Sequence, residues 1–132
     1  GIFAQVTAPV QQALVAGNKA PDAKLYTTKG DSVQLASLLA QKPTILLFFR
    51  GGWCPFCNAH LSDVQEIQKQ LTALGYQIIA ISPESAEDAG ETRRKNFLKY
   101  ELLSDPELEA ISAFGIKAGG LPHPSCFIIN TA

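Results

Sequence analysis

Two short apolar runs, separated by an amphipathic stretch, dominate the hydrophobic pattern of this 132-residue chain. The runs at 44–49 and 77–81 have the length and composition of buried strands. From Pro55 to a stop at Gly75, apolar side chains recur at steps of three and four residues, which predicts an amphipathic helix. These helical positions are Leu61, Val64, Ile67, Leu71 and Leu74. Strand, helix and strand in this order predict a βαβ unit with neighbouring parallel strands.

The rest of the chain is predicted to add short elements around this unit. At 132 residues it should form one domain, 1–132, that buries about two-thirds of its unfolded surface. Apolar residues at largely helical spacing predict an N-terminal helical extension over 1–16. Further strands are predicted at 23–28, 100–103 and 125–129, of which 100–103 would be an edge strand. A short helix is predicted at 33–39, and two longer ones begin at caps, one at 82–85 that runs to about 96 and one at 104–106 that runs to about 114. In the first of these two, the charged run 91–95 is interpreted as a solvated face.

Composition and charge exclude several classes of function. The net charge of −1 gives no basic field for nucleic acid or anionic lipid, and no apolar run approaches the roughly 20 residues of a membrane span. Three cysteines are too few, and odd in number, for a secreted disulfide scaffold, so we expect a cytoplasmic protein. The start of the chain lacks the basic residues of a signal peptide, and a removed export signal stays open as an alternative. The expected partners are small molecules or another redox protein.

The candidate chemistry lies between the first apolar run and the helix, where Trp53 leads into a Cys-x-x-Cys motif. A thiol at a helix N-terminus faces unpaired N–H groups and the positive end of the macrodipole, which favour the thiolate, so Cys54 is the predicted reactive cysteine. Cys57 lies one turn further on in the apolar stripe and is the predicted shielded partner. Gly51 and Gly52 allow the backbone to bend sharply and to approach a substrate closely.

Two other interpretations of the cysteine pair are weaker. Free cysteines often lie in cores as small hydrophobes, but strand, glycines, motif and helix in this order favour a redox pair. Cys54, Cys57 and His60 could be metal ligands, yet no second ligand pair follows, and ligands along one helix do not readily close a tetrahedron. We therefore expect no metal site and interpret His60 as a partly buried surface histidine, with a catalytic histidine as the alternative.

Five motifs follow one another over about residues 17–130: Gly17-Asn18-Lys19-Ala20-Pro21-Asp22, Phe49-Arg50-Gly51-Gly52-Trp53-Cys54-Pro55-Phe56-Cys57, Ala80-Ile81-Ser82-Pro83, Leu103-Ser104-Asp105 and Leu121-Pro122-His123-Pro124-Ser125-Cys126-Phe127-Ile128-Ile129. Together they resemble peroxiredoxin-like proteins of the alkyl hydroperoxide reductase/thiol-specific antioxidant (AhpC/TSA) family, in the thioredoxin superfamily. The resemblance implies an α/β, thioredoxin-like fold with a central mixed sheet flanked by helices. Because the chain stops at Ala132, the final strand and C-terminal helix of that fold are expected to be lacking.

The same resemblance implies a thiol peroxidase that reduces hydrogen peroxide or organic hydroperoxides without a cofactor. Cys54 would be the peroxidatic cysteine, oxidised to a sulfenic acid, and Cys57 the resolving cysteine that closes a Cys54–Cys57 disulfide. An external dithiol such as thioredoxin or glutaredoxin would reduce that disulfide. Cys126 is predicted to be a buried, unreactive thiol, with a second resolving cysteine as its alternative.

Two departures from typical peroxiredoxins keep other functions open. Leu47 stands where typical peroxiredoxins have a proline, and Gly51 stands where they have the threonine or serine that orients the peroxide. Arg50 is the nearest candidate in sequence for a charge that compensates for the missing active-site arginine of those proteins. The supporting residues of the predicted site at the motif are therefore Arg50, Gly51, Gly52 and Trp53. The missing hydroxyl favours a thiol–disulfide oxidoreductase of thioredoxin type, and a non-catalytic redox-sensing domain is the third alternative.

The loop before the last strand supplies the remaining predicted site residues. The resemblance places an X-Pro bond beside the redox motif, and we predict that the His123–Pro124 bond occupies this place and is cis. His123 would then face the cysteines, where a protonated imidazole would lower the pKa of Cys54. The alternative is a solvent-facing loop histidine.

Overall fold

A mixed sheet of seven strands forms the centre of the computed structural model, in which the described residues are 2–6 (backbone only), 17 and 19–131. The strands of this sheet are β1 (Ile2–Val6), β2 (Lys24–Tyr26), β3 (Ser32–Gln34), β4 (Thr44–Phe48), β5 (Gln77–Ser82), β6 (Glu101–Ser104) and β9 (Ser125–Ile129). A separate hairpin consists of β7 (Lys117–Ala118) and β8 (Leu121–Pro122). The helices are α1 (Leu35–Leu39), α2 (Pro55–Ala73), α3 (Ala86–Lys95) and α4 (Glu109–Ala113). No helix in this part of the chain has both the length and the apolar character of a membrane span.

The strands follow the order β1-β9-β4-β5-β6-β2-β3 across the sheet. β4, β5 and β6 are parallel neighbours, whereas β9 and β1 on one side and β2 and β3 on the other are antiparallel additions. β4, α2 and β5 form the predicted βαβ unit, in which Thr44 lies opposite Gln77 and Phe48 lies opposite Ile81. The predicted α/β class with a central mixed sheet and flanking helices is confirmed. The expected lack of a final strand and a C-terminal helix stays a prediction.

The N-terminal segment differs from its predicted helical form. Residues 2–6 are strand β1, which pairs with β9 from Ile2 opposite Ile129 to Val6 opposite Ser125. An unpaired edge of β9 would present free N–H and C=O groups, and the backbone of β1 satisfies them. The helical prediction is therefore wrong for 2–6, and residues 7–16 of the predicted extension lie outside the described residues.

Two further predictions for short elements are corrected. The strand predicted at the sheet edge, β6, is an interior strand: Ser104 lies opposite Ser82 of β5 on one side and Tyr26 of β2 on the other. The helix predicted at 33–39 begins as strand β3, and only Leu35–Leu39 is helical. In both cases the partner strand comes from a distant or very short segment, which local sequence patterns do not reveal.

Alternate residues of β4 pack into two separate cores. Phe48 points into the core that contains residues of α1 and α4, whereas Leu47 and Phe49 point into the core that contains Cys57 and Leu61 of α2. This division follows from the two-residue period of a strand. The strand that leads into the cysteine motif is therefore held from both faces of the sheet.

Candidate redox site

Cys54 is the N-cap residue of α2. Its backbone is extended (φ −95°, ψ 112°), Pro55 occupies the first helical position, and the Cys57 N–H donates to Cys54 Sγ at 3.3 Å. Proline suits this position because its missing N–H would have had no partner within the helix. The thiol of Cys54 thus takes the place that a serine or aspartate side chain usually has at a helix start.

As predicted, Cys54 is the more accessible of the two cysteines of the motif and Cys57 is the shielded one. Both are free thiols; Cys54 is half-buried, and Cys57 is only 5% exposed, in the core with Leu61. The assignment of Cys54 as attacking and Cys57 as resolving cysteine stays a prediction about chemistry, but the geometry gives each cysteine the exposure that its role requires.

The surroundings shift the acidities of these thiols in opposite directions. The hydrogen bond with the Cys57 side chain is the main cause that lowers the pKa of Cys54, and the backbone N–H groups of Cys57 and Phe56 and the charge of Arg50 act in the same direction. Burial, followed by the hydrogen bond with Cys54, raises the pKa of Cys57. At any given pH the nucleophilic thiolate is therefore more populated on Cys54 than on Cys57.

Cys126 is half-buried in β9, opposite Leu47 of β4, rather than fully buried as predicted. Burial raises its pKa above the ordinary value for a thiol. This environment disfavours the thiolate, in keeping with the predicted low reactivity.

The opposite pKa shifts of Cys54 and Cys126 predict selective alkylation. At pH 7 iodoacetamide should modify Cys54 at least about tenfold faster than Cys126, since each unit of pKa difference changes the thiolate fraction about tenfold. Timed alkylation of the reduced protein between about pH 5 and about pH 10, followed by peptide mass spectrometry, measures both rates; the Cys54 profile should rise at lower pH. Denatured protein is the control, in which the two rates should converge. Equal rates in the folded protein would contradict the prediction.

A tight turn carries the chain from β4 to Cys54. The Cys54 N–H donates to Gly51 O at 3.2 Å, which closes the turn around Gly52 and Trp53. The Gly52 N–H donates to Glu84 Oε2 at 2.9 Å. The site therefore includes a carboxylate that follows the neighbouring strand β5.

Gly52 packs directly against α3. A Cβ atom at this position would collide with the Thr92 Oγ1 atom and lie 3.1 Å from Thr92 Cβ. The Gly52 carbonyl oxygen accepts hydrogen bonds from Lys95 Nζ at 2.5 Å and from Asn58 Nδ2 at 2.8 Å. The close approach of α3 thus favours glycine here, and the predicted approach of a substrate to Gly52 stays a prediction.

Sequence reasoning missed Glu84, Asn58 and Lys95, and it placed Thr92 and Lys95 on a solvated helix face. Thr92 is in fact 2% exposed, and the exposed Lys95 donates to Gly52 O in the turn 51–54, which we name the redox turn. One signal could have identified Glu84: it lies two residues after β5, and the carboxyl ends of parallel neighbours meet at the same edge of a sheet.

Exposed aromatic side chains flank Cys54 along the chain. Trp53 is 64% exposed and Phe56 is 79% exposed, and Arg50 is exposed as well. Beside Trp53 opens a groove of about 210 Å³, whose other lining residues are Gly52, Glu84, Asp88, Glu91, Thr92 and Lys95. The half-buried thiol is therefore next to a surface that external reactants can reach.

The loop before β9 differs from its prediction. No peptide bond of the described residues is cis, so the His123–Pro124 bond is trans and the prediction of a cis bond is wrong. The His123 N–H donates to Ile116 O at 2.8 Å and its carbonyl oxygen accepts from Ser125 Oγ at 2.9 Å, so the loop is held in place with the more stable trans isomer.

His123 is half-buried, and its role in the site stays a prediction. The strand that follows it pairs Ser125 with Phe48, so the loop ends near the end of β4 that leads into the motif. The groups that lower the pKa of Cys54 belong to Cys57, Phe56 and Arg50. His60 is exposed on α2, and the described residues contain no group of three or more histidine, cysteine, aspartate or glutamate side chains suited to a metal ion.

The fold and the site define a protein of thioredoxin-like architecture with a cysteine pair at the start of a helix. Among solved structures, peroxidoxin BcpB from Mycobacterium tuberculosis is similar, with a TM-score of 0.78 and 24% sequence identity over 87% of this chain and 78% of that chain. This likeness confirms the predicted fold. The sequence model of the AhpC/TSA family matches residues 16–132, and the chain belongs to that family, as its motifs predicted.

Relatives in the family bear more than one name. Peroxiredoxin Bcp of Bacillus subtilis is 31% identical over 100 residues, which cover 76% of this chain and 63% of the relative. Prostamide/prostaglandin F synthase of Salmo salar is 30% identical over 93 residues, which cover 70% of this chain and 46% of the relative. The chain thus spans less than two thirds of the length of either relative.

Proposed function

We propose that this protein is a thiol peroxidase that reduces hydrogen peroxide or organic hydroperoxides through Cys54 and Cys57. The observation that carries the proposal is the hydrogen bond from the Cys57 N–H to Cys54 Sγ, at 3.3 Å, at the start of α2. This contact favours the thiolate on an accessible sulfur, and a shielded second sulfur lies one helical turn away. Family membership and the similarity to peroxiredoxin Bcp favour a peroxide as the oxidant.

The proposed cycle has three steps. The Cys54 thiolate attacks one peroxide oxygen, the O–O bond breaks, and the other oxygen leaves with a proton as water or an alcohol, so that sulfur becomes a sulfenic acid. The Cys57 thiol loses its proton and attacks this sulfur; a disulfide forms and water leaves. An external dithiol then reduces the disulfide by two exchange reactions and is itself oxidised to a disulfide.

A thioredoxin- or glutaredoxin-type protein is the proposed reductant, and the cytoplasm is the proposed location, because dithiol reductants keep cysteines reduced there. The exposed Trp53 and Phe56 support access by such a protein to the Cys54–Cys57 disulfide. The residues Arg50, Gly51, Gly52, Trp53, His123 and Pro124 are proposed to support the site.

The second candidate function is thiol–disulfide exchange with protein substrates. It is favoured by Gly51, which stands where typical peroxiredoxins have a peroxide-orienting hydroxyl, and by the exposed aromatic side chains beside Cys54. The same two cysteines would act, but the oxidant would be a protein disulfide rather than a peroxide. A redox-sensing domain without turnover is the third candidate, and one experiment separates all three.

One preparation should be assayed with hydrogen peroxide, cumene hydroperoxide and insulin disulfide, each with thioredoxin, thioredoxin reductase and NADPH. With a peroxide, we expect the wild-type protein to consume NADPH at least about a hundredfold faster than the Cys54→Ser variant, since covalent catalysis depends wholly on this nucleophile. A wild-type rate no faster than that of Cys54→Ser with both peroxides would refute the proposal. Turnover with insulin alone, above the rate at which thioredoxin reduces insulin without this protein, would favour the exchange function. No turnover above that background with any of the three substrates would favour the sensor.

A further inference from the structure

Glu84 ties the redox turn to the sheet. Besides the Gly52 N–H, its carboxylate accepts hydrogen bonds from Ser82 Oγ at 2.9 Å and from Thr92 Oγ1 at 3.0 Å, and its backbone carbonyl accepts one from Ser104 Oγ at 2.5 Å. Ser82 and Ser104 are buried and lie opposite each other at the ends of β5 and β6. The carboxylate is therefore fixed relative to two strands and to α3, in a position from which it holds Gly52.

The carbonyl side of Gly52 is held by two further side chains, Lys95 and Asn58. Asn58 Oδ1 in turn accepts a hydrogen bond from Asn96 Nδ2 at 2.9 Å, so the end of α3 is joined to the first turn of α2. A carboxylate at the N–H group and an ammonium at the carbonyl oxygen give charge-assisted hydrogen bonds, which are stronger than neutral ones. The turn before Cys54 is thus anchored on both sides by residues outside the motif.

We propose that Glu84 and Lys95 are positioning residues that hold Gly52, fix the turn before Cys54 and thereby set the reactivity of the Cys54 thiol. A turn that could shift by about 1 Å would move Sγ out of hydrogen-bonding reach of the Cys57 N–H, and displacements of this size can cost large factors in rate. The inference rests on the proposed thiol chemistry of Cys54, but not on the identity of the oxidant.

Two substitutions of Glu84 separate its hydrogen bond from its charge. Glu84→Ala and Glu84→Gln both remove the negative charge, but the glutamine amide oxygen can still accept from the Gly52 N–H. We compare them in a Cys57→Ser, Cys126→Ser background, in which Cys54 is the only thiol. At pH 7, alkylation of Cys54 by iodoacetamide should be about tenfold slower with alanine than with glutamine, and its pH profile should lie at higher pH.

Glu91→Ala is the matched control in the same background. Glu91 is an exposed glutamate that lines the same groove, so its removal alters the local charge without releasing Gly52. Its alkylation rate should equal that of the unsubstituted background. A purely structural role of Glu84 would lower the thermal stability of Glu84→Ala without shifting the pH profile of Cys54.

Lys95→Met, compared with Lys99→Met at a nearby exposed lysine, tests the other side of the turn. We expect slower alkylation for Lys95→Met only, and the difference should persist in about 1 M salt, where charges more than about 3 Å apart are screened. If Glu84→Ala does not fold by circular dichroism, the lysine variants still decide whether the anchoring of Gly52 sets the reactivity of Cys54.

Equal alkylation rates for Glu84→Ala and Glu84→Gln, both folded, would overturn the proposal for Glu84. A Lys95→Met effect that salt abolishes would overturn it for Lys95, because the lysine would then act through its charge alone. Since alkylation needs no peroxide, a protein that fails the peroxidase assay can still pass this test, and the two proposals fail separately.

Discussion

Replacing Cys57 with serine should stop catalytic turnover but spare the first oxidation of Cys54. Serine retains the backbone N–H that donates to Cys54 Sγ, and its hydroxyl can replace the thiol as a hydrogen-bond donor, so the Cys54 thiolate stays favoured. Without the second sulfur, however, no intramolecular disulfide can form. We expect steady-state peroxide consumption with thioredoxin to fall at least about a hundredfold, because an intramolecular reaction partner is replaced by a dilute external one.

The sulfenic acid makes this result distinguishable from simple inactivation. After one equivalent of peroxide, dimedone should label Cys54 in Cys57→Ser, and wild type should instead show a Cys54–Cys57 disulfide by peptide mass spectrometry. Cys126→Ser is the matched control and should retain wild-type turnover. If Cys126→Ser loses turnover and Cys57→Ser keeps it, Cys126 is the resolving cysteine and the proposed pairing is wrong.

The parts of the fold that follow from short-range patterns were predictable. The apolar run at 44–49, the helical spacing after Pro55 and the run at 77–81 each carry their own period, and together they form β4, α2 and β5. The N-cap position of Cys54 could also be predicted, because a proline at the first helical position marks a helix start.

The wrong predictions concern partners that lie far away in the chain. The apolar residues of Ile2–Val6 fit both the period of a helix and that of a strand, and the segment is a strand because it pairs with the open edge of β9. β6 becomes an interior strand only because β2, from a segment more than seventy residues earlier, pairs at Tyr26 with Ser104. The loop at His123 likewise has a long-range component, since the His123 N–H donates to Ile116 O, and its trans bond was not predicted.

The contacts by which Glu84 and Lys95 hold the redox turn were not predictable for the same reason. Glu84 is 32 residues from Gly52 in sequence and Lys95 is 43 residues away, and neither belongs to a recognisable motif. A charged helix segment such as 91–95 is usually solvated, and only the assembled fold shows that the exposed Lys95 also donates a hydrogen bond to Gly52 O. The Cys-x-x-Cys motif predicts the thiol chemistry, whereas the contacts of the residues that position the cysteines form only in the assembled fold.

Truncating Phe127 to alanine should be among the most destabilising single changes in the core. Its ring is fully buried and lies 5.8 Å from the ring of Phe48 and 5.1 Å from that of Phe114, with the Phe48 and Phe114 rings 5.2 Å apart. Removing it leaves a cavity between β9, β4 and α4 and two rings without their partner. We expect a loss of about 3–5 kcal/mol in the free energy of unfolding, a large fraction of the roughly 5–15 kcal/mol that a domain has.

Phe97→Ala is the matched control, because Phe97 is 83% exposed and the same atoms are removed from the surface. Its unfolding free energy should change by no more than about 0.5 kcal/mol. Urea unfolding followed by circular dichroism measures both variants, and the midpoints should differ while the slopes agree. Because Phe48 leads directly into the redox turn, Phe127→Ala should also broaden the pH profile or reduce the rate of Cys54 alkylation. A midpoint for Phe127→Ala that matches that of Phe97→Ala would show that the three rings do not form the core that supports the site.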